Sequence, residues 1–60
     1  MFATKINNIP ETAKAYPFIV AQFDEDSKIL WYYGAYKTIE KAQEAARSEY
    51  CHNGIVFYNV

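Results

Sequence analysis

From Ile29 to Tyr36 the chain reads Ile-Leu-Trp-Tyr-Tyr-Gly-Ala-Tyr, and no position in the run carries a charge. A strand sends successive side chains to opposite faces, so such a run offers apolar surface on both sides of a sheet. It reads as a central strand. One of its sides needs a core, and the other needs either cover or a partner.

The pairing partner stands just upstream. Phe18-Ile19-Val20-Ala21-Gln22-Phe23 is rich in β-branched and aromatic residues, and Asp24-Glu25-Asp26-Ser27 closes it as a turn. If Phe23 and Lys28 flank that turn, antiparallel pairing sets Ala21 opposite Leu30 and Val20 opposite Trp31. One face then carries Ile19, Ala21, Phe23, Leu30, Tyr32 and Gly34, and the other carries Phe18, Val20, Gln22, Ile29, Trp31 and Tyr33. A one-residue slip in the turn would change these pairs.

Thr38 is placed to cap a helix from Ile39 to about Cys51, because its hydroxyl can accept from first-turn amides and Glu40 suits the positive helix end. Ile39, Ala42, Ala45, Ala46 and Tyr50 share one side of that helix. An alanine-rich side approaches a sheet closely, and the face with Ala21 and Gly34 has room for it. Ile19, Ala21, Phe23, Leu30 and Tyr32 are therefore the expected core. Gly54, beside Asn53, is expected to end the helix in the left-handed conformation, and Ile55–Val60 forms a last strand.

The start of the chain adds smaller pieces. Phe2, Thr4 and Ile6 alternate as an edge strand would over residues 2–6, Asn7-Asn8 reads as a turn, and Pro10 opens a brief helical turn through Lys14. Pro17 stops that turn from running on through Tyr16. The expected fold class is α+β, a small antiparallel sheet of three or four strands with one amphipathic helix on one face in (β)ββαβ order. Residues 1–60 form one domain.

Sixty residues lie near the lower limit for folding without metals or disulfides. The hydrophobic fraction of 52% and aromatic fraction of 18% exclude disorder and suggest a packed core with a sticky surface. A net charge of −1 withholds the positive field that drives phosphate-backbone binding. A single cysteine allows no internal disulfide, and no long apolar segment suggests a membrane span or signal, so the expected location is cytoplasmic. The chain starts at Met1 with no tag or linker, as a complete small gene product would.

Segments Tyr33-Gly34-Ala35-Tyr36, Thr38-Ile39-Glu40-Lys41-Ala42 and Ala45-Ala46, followed by a glycine and a final strand, are similar to one half of a peptidoglycan-binding SPOR repeat. The similarity covers about the last half of the chain and rests on features generic to strand-helix-strand units. The first half departs from it with a hairpin that lacks a helix, so neither the fold nor the function of that family is carried over.

Little in the chain suggests catalysis. Cys51 and His52 are adjacent, so on a helix their side chains diverge by about 100° and cannot act as a pair. They read as a small core residue and a C-terminal helix cap. One cysteine and one histidine do not complete a zinc site, and no cofactor motif or phosphate loop is visible. Asp24, Glu25 and Asp26 lack the length, glycine and closing glutamate of a calcium loop. They read as a solvated hairpin tip, with a second role as an anionic contact that steers a basic partner.

The aromatic face resists a structural explanation if the helix covers only the other one. Phe18, Val20, Gln22, Ile29, Trp31 and Tyr33 would then be exposed, as at an interaction site, unless Ile6, Ile9 and Tyr16 fold across them. The expected function is a non-enzymatic protein-binding module, self-associating as a homodimer or capping a larger protein, of the inhibitor or accessory type found in phages and mobile elements. Two alternatives are single-stranded nucleic-acid binding by aromatic stacking, with Lys5, Lys14, Lys28 and Lys37 as counter-charges, and small-ligand capture at a dimer interface.

Overall fold

The computed structural model describes residues 6–58. In chain order they form β1 (Ile6–Asn7), a 3₁₀ turn (Glu11–Ala15), β2 (Phe18–Asp24), β3 (Ile29–Tyr36), α1 (Ile39–Ala46) and β4 (Gly54–Tyr58). The strands make one sheet in the order β1-β3-β2-β4. This is the α+β architecture expected, with the order β-β-β-α-β. The sheet is mixed: β1 runs parallel to β3, whereas β3 and β4 both run antiparallel to β2. Residues 2–5 of the expected first strand lie outside the described residues.

Several local signals act as the sequence implies. Asn8 takes a positive φ of 65° at the turn after β1, where asparagine tolerates the left-handed region. The Asp24 carboxylate accepts from the Asp26 amide at 3.0 Å, and the Asp24 carbonyl accepts from the Lys28 amide at 2.7 Å. These bonds fold the acidic segment into a closed turn. Thr38 Oγ1 accepts from the Lys41 amide at 3.2 Å and caps α1.

The helix stops at Ala46, short of the expected Cys51. Ser48 supplies the reason. Its amide bonds back to the Ala45 carbonyl at 3.2 Å, its side chain accepts from the Tyr50 amide at 3.2 Å, and its carbonyl accepts from the Cys51 amide at 3.0 Å. A serine that bonds its own local backbone offers the chain a turn in place of another helical turn. Asn53, and not Gly54, takes the left-handed conformation, at φ 54°. Gly54 is the first residue of β4.

The pairing register corrects the hairpin. Phe23 lies opposite Leu30, Gln22 opposite Trp31 and Ala21 opposite Tyr32; the register then shifts, and Val20 faces Gly34. Tyr33 is the extra residue of a bulge, which changes the alternation of everything after it. Gly34 and Tyr36 join the Val20 face, and Ala35 joins the Ile19 face.

Each face of the sheet has a small core. Ile6, Ala13, Ile19, Ala21 and Leu30 cluster on one side, with Ile9, Phe23, Tyr32, Ala35 and Phe57 packed around them. Val20, Ala42 and Cys51 cluster on the other, with Phe18, Tyr33, Tyr36, Ala45, Ala46 and Val56. The helix therefore lies on the face expected to be free, and the N-terminal segment covers the face assigned to the helix. Val20 is fully buried, and burying a side chain of its size is worth about 1.5–3 kcal/mol.

The glycines explain the choice of face. A Cβ on Gly54 would stand 2.8 Å from the Ala46 Cα, so the last helical turn rests directly on β4. A Cβ on Gly34 would meet the Tyr36 hydroxyl at 2.6 Å. Neither glycine has a positive φ, and what both provide is space. Gly54→Ala is expected to cost about 1–3 kcal/mol in urea unfolding, because helix backbone must move, as in other overpacked cores. Gly34→Ala should cost less, since a tyrosine ring end can swing aside. Equal or negligible costs would contradict the close approach at Gly54.

Candidate functional site

Phe18, Val20 and Tyr33 pack beneath α1 and are not part of an open surface. Ile29 is half-buried opposite Asp24. Gln22 and Trp31 have a different setting. They lie opposite each other on the same face, towards the hairpin tip, where Trp31 is 37% exposed. An α-helix rises about 1.5 Å per residue against about 3.3 Å for a strand, so eight helical residues cannot cover strands of seven and eight.

The uncovered part of that face opens into a shallow cleft of about 430 Å³, lined by Gln22, Phe23, Asp24, Glu25, Asp26, Trp31, His52 and Asn53. Two features widely different in character, the outward aromatic residue and the acidic turn, thus share one site. His52 and Asn53 come from the other end of the chain. The His52 amide donates to Gln22 Oε1 at 3.1 Å, and the Asn53 side-chain amide donates to the Phe23 carbonyl at 3.3 Å and to Glu25 Oε1 at 3.5 Å. The Phe23 amide donates to the Asn53 carbonyl at 3.3 Å. Sequence reasoning treated His52 and Asn53 as helix-end residues only. Their contacts to β2 span about thirty positions, and Asn53 offers no sequence signal for them beyond its tolerance of the left-handed conformation.

The electrostatics of the cleft are one-sided. Three carboxylates border it, and neither lysine nor arginine lines it. The Ser27 hydroxyl, followed by the Asp26 and Ser27 amides, holds the Asp24 carboxyl below its ordinary range. Asp24 thus keeps its charge while it shapes the turn. Among the described residues, no group of three or more His, Cys, Asp or Glu side chains is placed to hold a metal ion. Likewise, no helix among them is long and apolar enough to cross a membrane.

Cys51 is buried beside Val20 and Ala42, and burial pushes its thiol above the ordinary 9.0. Burial, then the nearby Tyr33 and Tyr32 hydroxyls and Cys51, raises Tyr36 above 10.0. The thiol is a core group here and not a nucleophile poised as thiolate.

The chain matches no family model, and no curated protein or solved structure matches it at significance.

Both raised groups give the protein an alkaline limit. Their folded pKa values exceed the unfolded ones, so the stability linked to them is complete below about pH 9 and is lost as pH rises through the folded values. Urea midpoints should hold level around neutrality and fall above pH 9, and Cys51→Ala should remove the earlier part of that fall. A midpoint that rises between pH 9 and 10.5 would have the wrong sign.

Proposed function

We propose that this protein is a non-enzymatic interaction module that binds a basic segment of a partner protein in the cleft over Trp31. The observation that carries the reading is the placement of a partly exposed indole beside three carboxylates, with neither lysine nor arginine lining the site. An arginine or lysine from a partner can lie over the indole face while its charge meets the acidic turn. Such a cation–π contact contributes about 0.5–2 kcal/mol, depending on how far it is desolvated. The carboxylates add steering, which acts on association rate and falls with salt.

The same carboxylates disfavour a nucleic-acid strand, since phosphates would approach Asp24, Glu25 and Asp26 before any base could stack on Trp31. Catalysis has no support in the site: it lacks a nucleophile paired with a base. A small cytoplasmic inhibitor or accessory subunit, of the kind carried by phages and mobile elements, is the role that best suits a short chain with a charged aromatic cleft.

Titration with a short arginine-containing peptide tests the reading through Trp31 fluorescence. Binding is expected to weaken about tenfold in Trp31→Ala, the size of a modest hot-spot loss. Glu25→Gln with Asp26→Asn should weaken it further at low salt and flatten its salt dependence, while Asp24 is left in place to hold the turn. An acidic peptide of equal length should not bind. Equal response to both peptides, or tighter binding of an oligonucleotide, would overturn the proposal.

A further inference from the structure

We propose that β4 is a homodimerisation edge, pairing antiparallel with β4 of a second copy about a two-fold axis at Val56. This goes beyond the cleft and does not depend on it. β4 stands at the outer edge of the sheet. Its sequence, Gly-Ile-Val-Phe-Tyr, has no charge and no proline, and its pairing with β2 runs without a bulge. Those are the devices with which monomeric proteins ordinarily blunt an edge.

The hydrogen-bond alternation fixes which groups point outward. The Phe23 amide bonds the Asn53 carbonyl directly opposite, so that pair is a hydrogen-bonded one. Counting in steps of two, Ala21 with Ile55 and Ile19 with Phe57 are hydrogen-bonded pairs as well. The backbone groups of Gly54, Val56 and Tyr58 therefore point away from β2. A two-fold axis at Val56 sets Val56 against its own copy and Gly54 against Tyr58, so every outward amide and carbonyl meets its complement.

The side chains fit the same register. Tyr58 is 65% exposed and Ile55 is 41% exposed, which puts two large exposed apolar groups on this short edge. In the pairing, each Tyr58 stands opposite Gly54 of the other copy, and because the Ala46 backbone already fills the helix-facing side of Gly54 the ring lies outward along the edge. On the opposite face each Ile55 falls beside Phe57 of the other copy. Arg47 and Gln43 flank Val56 and Ala46 in a shallow groove of about 230 Å³ beside the same strand, and the incoming Tyr58 ring lies next to it. A charge-free strand whose outward backbone groups and apolar Ile55–Phe57 pairs complement its own copy suits a second copy of itself better than a charged peptide.

Five residues a side is well below the roughly 20–30 of a standard interface, so dimerisation belongs to the range from about 10 µM to about 1 mM. Sedimentation velocity across that range should show a reversible monomer–dimer equilibrium. Ile55→Lys places a charge on an already exposed edge position and should raise the dimer dissociation constant about tenfold or more. Hydrogen exchange of the unaltered protein supplies a second readout. The Val56 and Tyr58 amides should slow about tenfold at the high concentration, while those of Ile55 and Phe57, bonded to β2, change little. A monomer throughout the range would overturn the proposal, as would a dimer that leaves the Val56 and Tyr58 amides in fast exchange.

Discussion

The close approach of α1 to the sheet is the constraint on which the rest of the structure depends. Ala46 rests on Gly54 closely enough that even a methyl group would not fit between them. Ala42, fully buried, packs the middle of the helix into the same cluster as Val20. A helix of eight residues has little surface to bury. It holds its place because small residues on both partners let the backbones approach, where dispersion contacts are most numerous. Larger side chains at Gly54 or Ala42 would lift the helix and open the Val20 core.

The second core follows from that arrangement. With the helix on the Val20 face, Ile19, Ala21 and Leu30 on the other face need separate cover, and residues 6–15 provide it. Ile6 sits beside Leu30 in β1, and Ala13 reaches the cluster from the 3₁₀ turn. β2 is thus buried on both faces and paired along both edges. Each cover is a single short segment, which fits a chain of sixty residues whose stability is expected to be modest.

Most elements of this fold were legible in the sequence, because each rests on local chemistry. Thr38 as helix cap, Asn8 as turn residue, the Asp24 turn and the β-branched run from Phe18 are all local signals. The choice of face was not legible, and the bulge at Tyr33 is the reason. Sequence reasoning placed the helix on the face that carries Gly34, and the helix does lie there. What it could not contain was the register shift between Val20 and Ala21 that moves Gly34 to the opposite face. Gly34 beside Tyr33 is its one local signal, since a glycine inside a strand often marks a bulge, but the register a bulge takes depends on how the strands and the helix pack together. One inserted residue exchanged the identities of core and expected interaction face. Of the residues expected to bind a partner, only Gln22 and Trp31, with the acidic turn, line the cleft.

The cleft itself is a consequence of the early helix stop. Had the helix continued to Cys51, its added turn would have run on in the direction of the helix axis. Ser48 instead folds the chain into a turn, and the segment from Tyr50 to Asn53 descends onto β2. There the His52 amide meets Gln22, and Asn53 bonds Phe23 and Glu25. Asn53 can make these contacts because it takes the left-handed conformation, which turns its side-chain amide towards the hairpin while its carbonyl still accepts from Phe23. The bonds hold the acidic turn against the rim of the Trp31 site. The feature that shortens the helix therefore also fixes the charge beside the exposed indole, and the most distinctive surface of the protein is set by a serine that touches none of it.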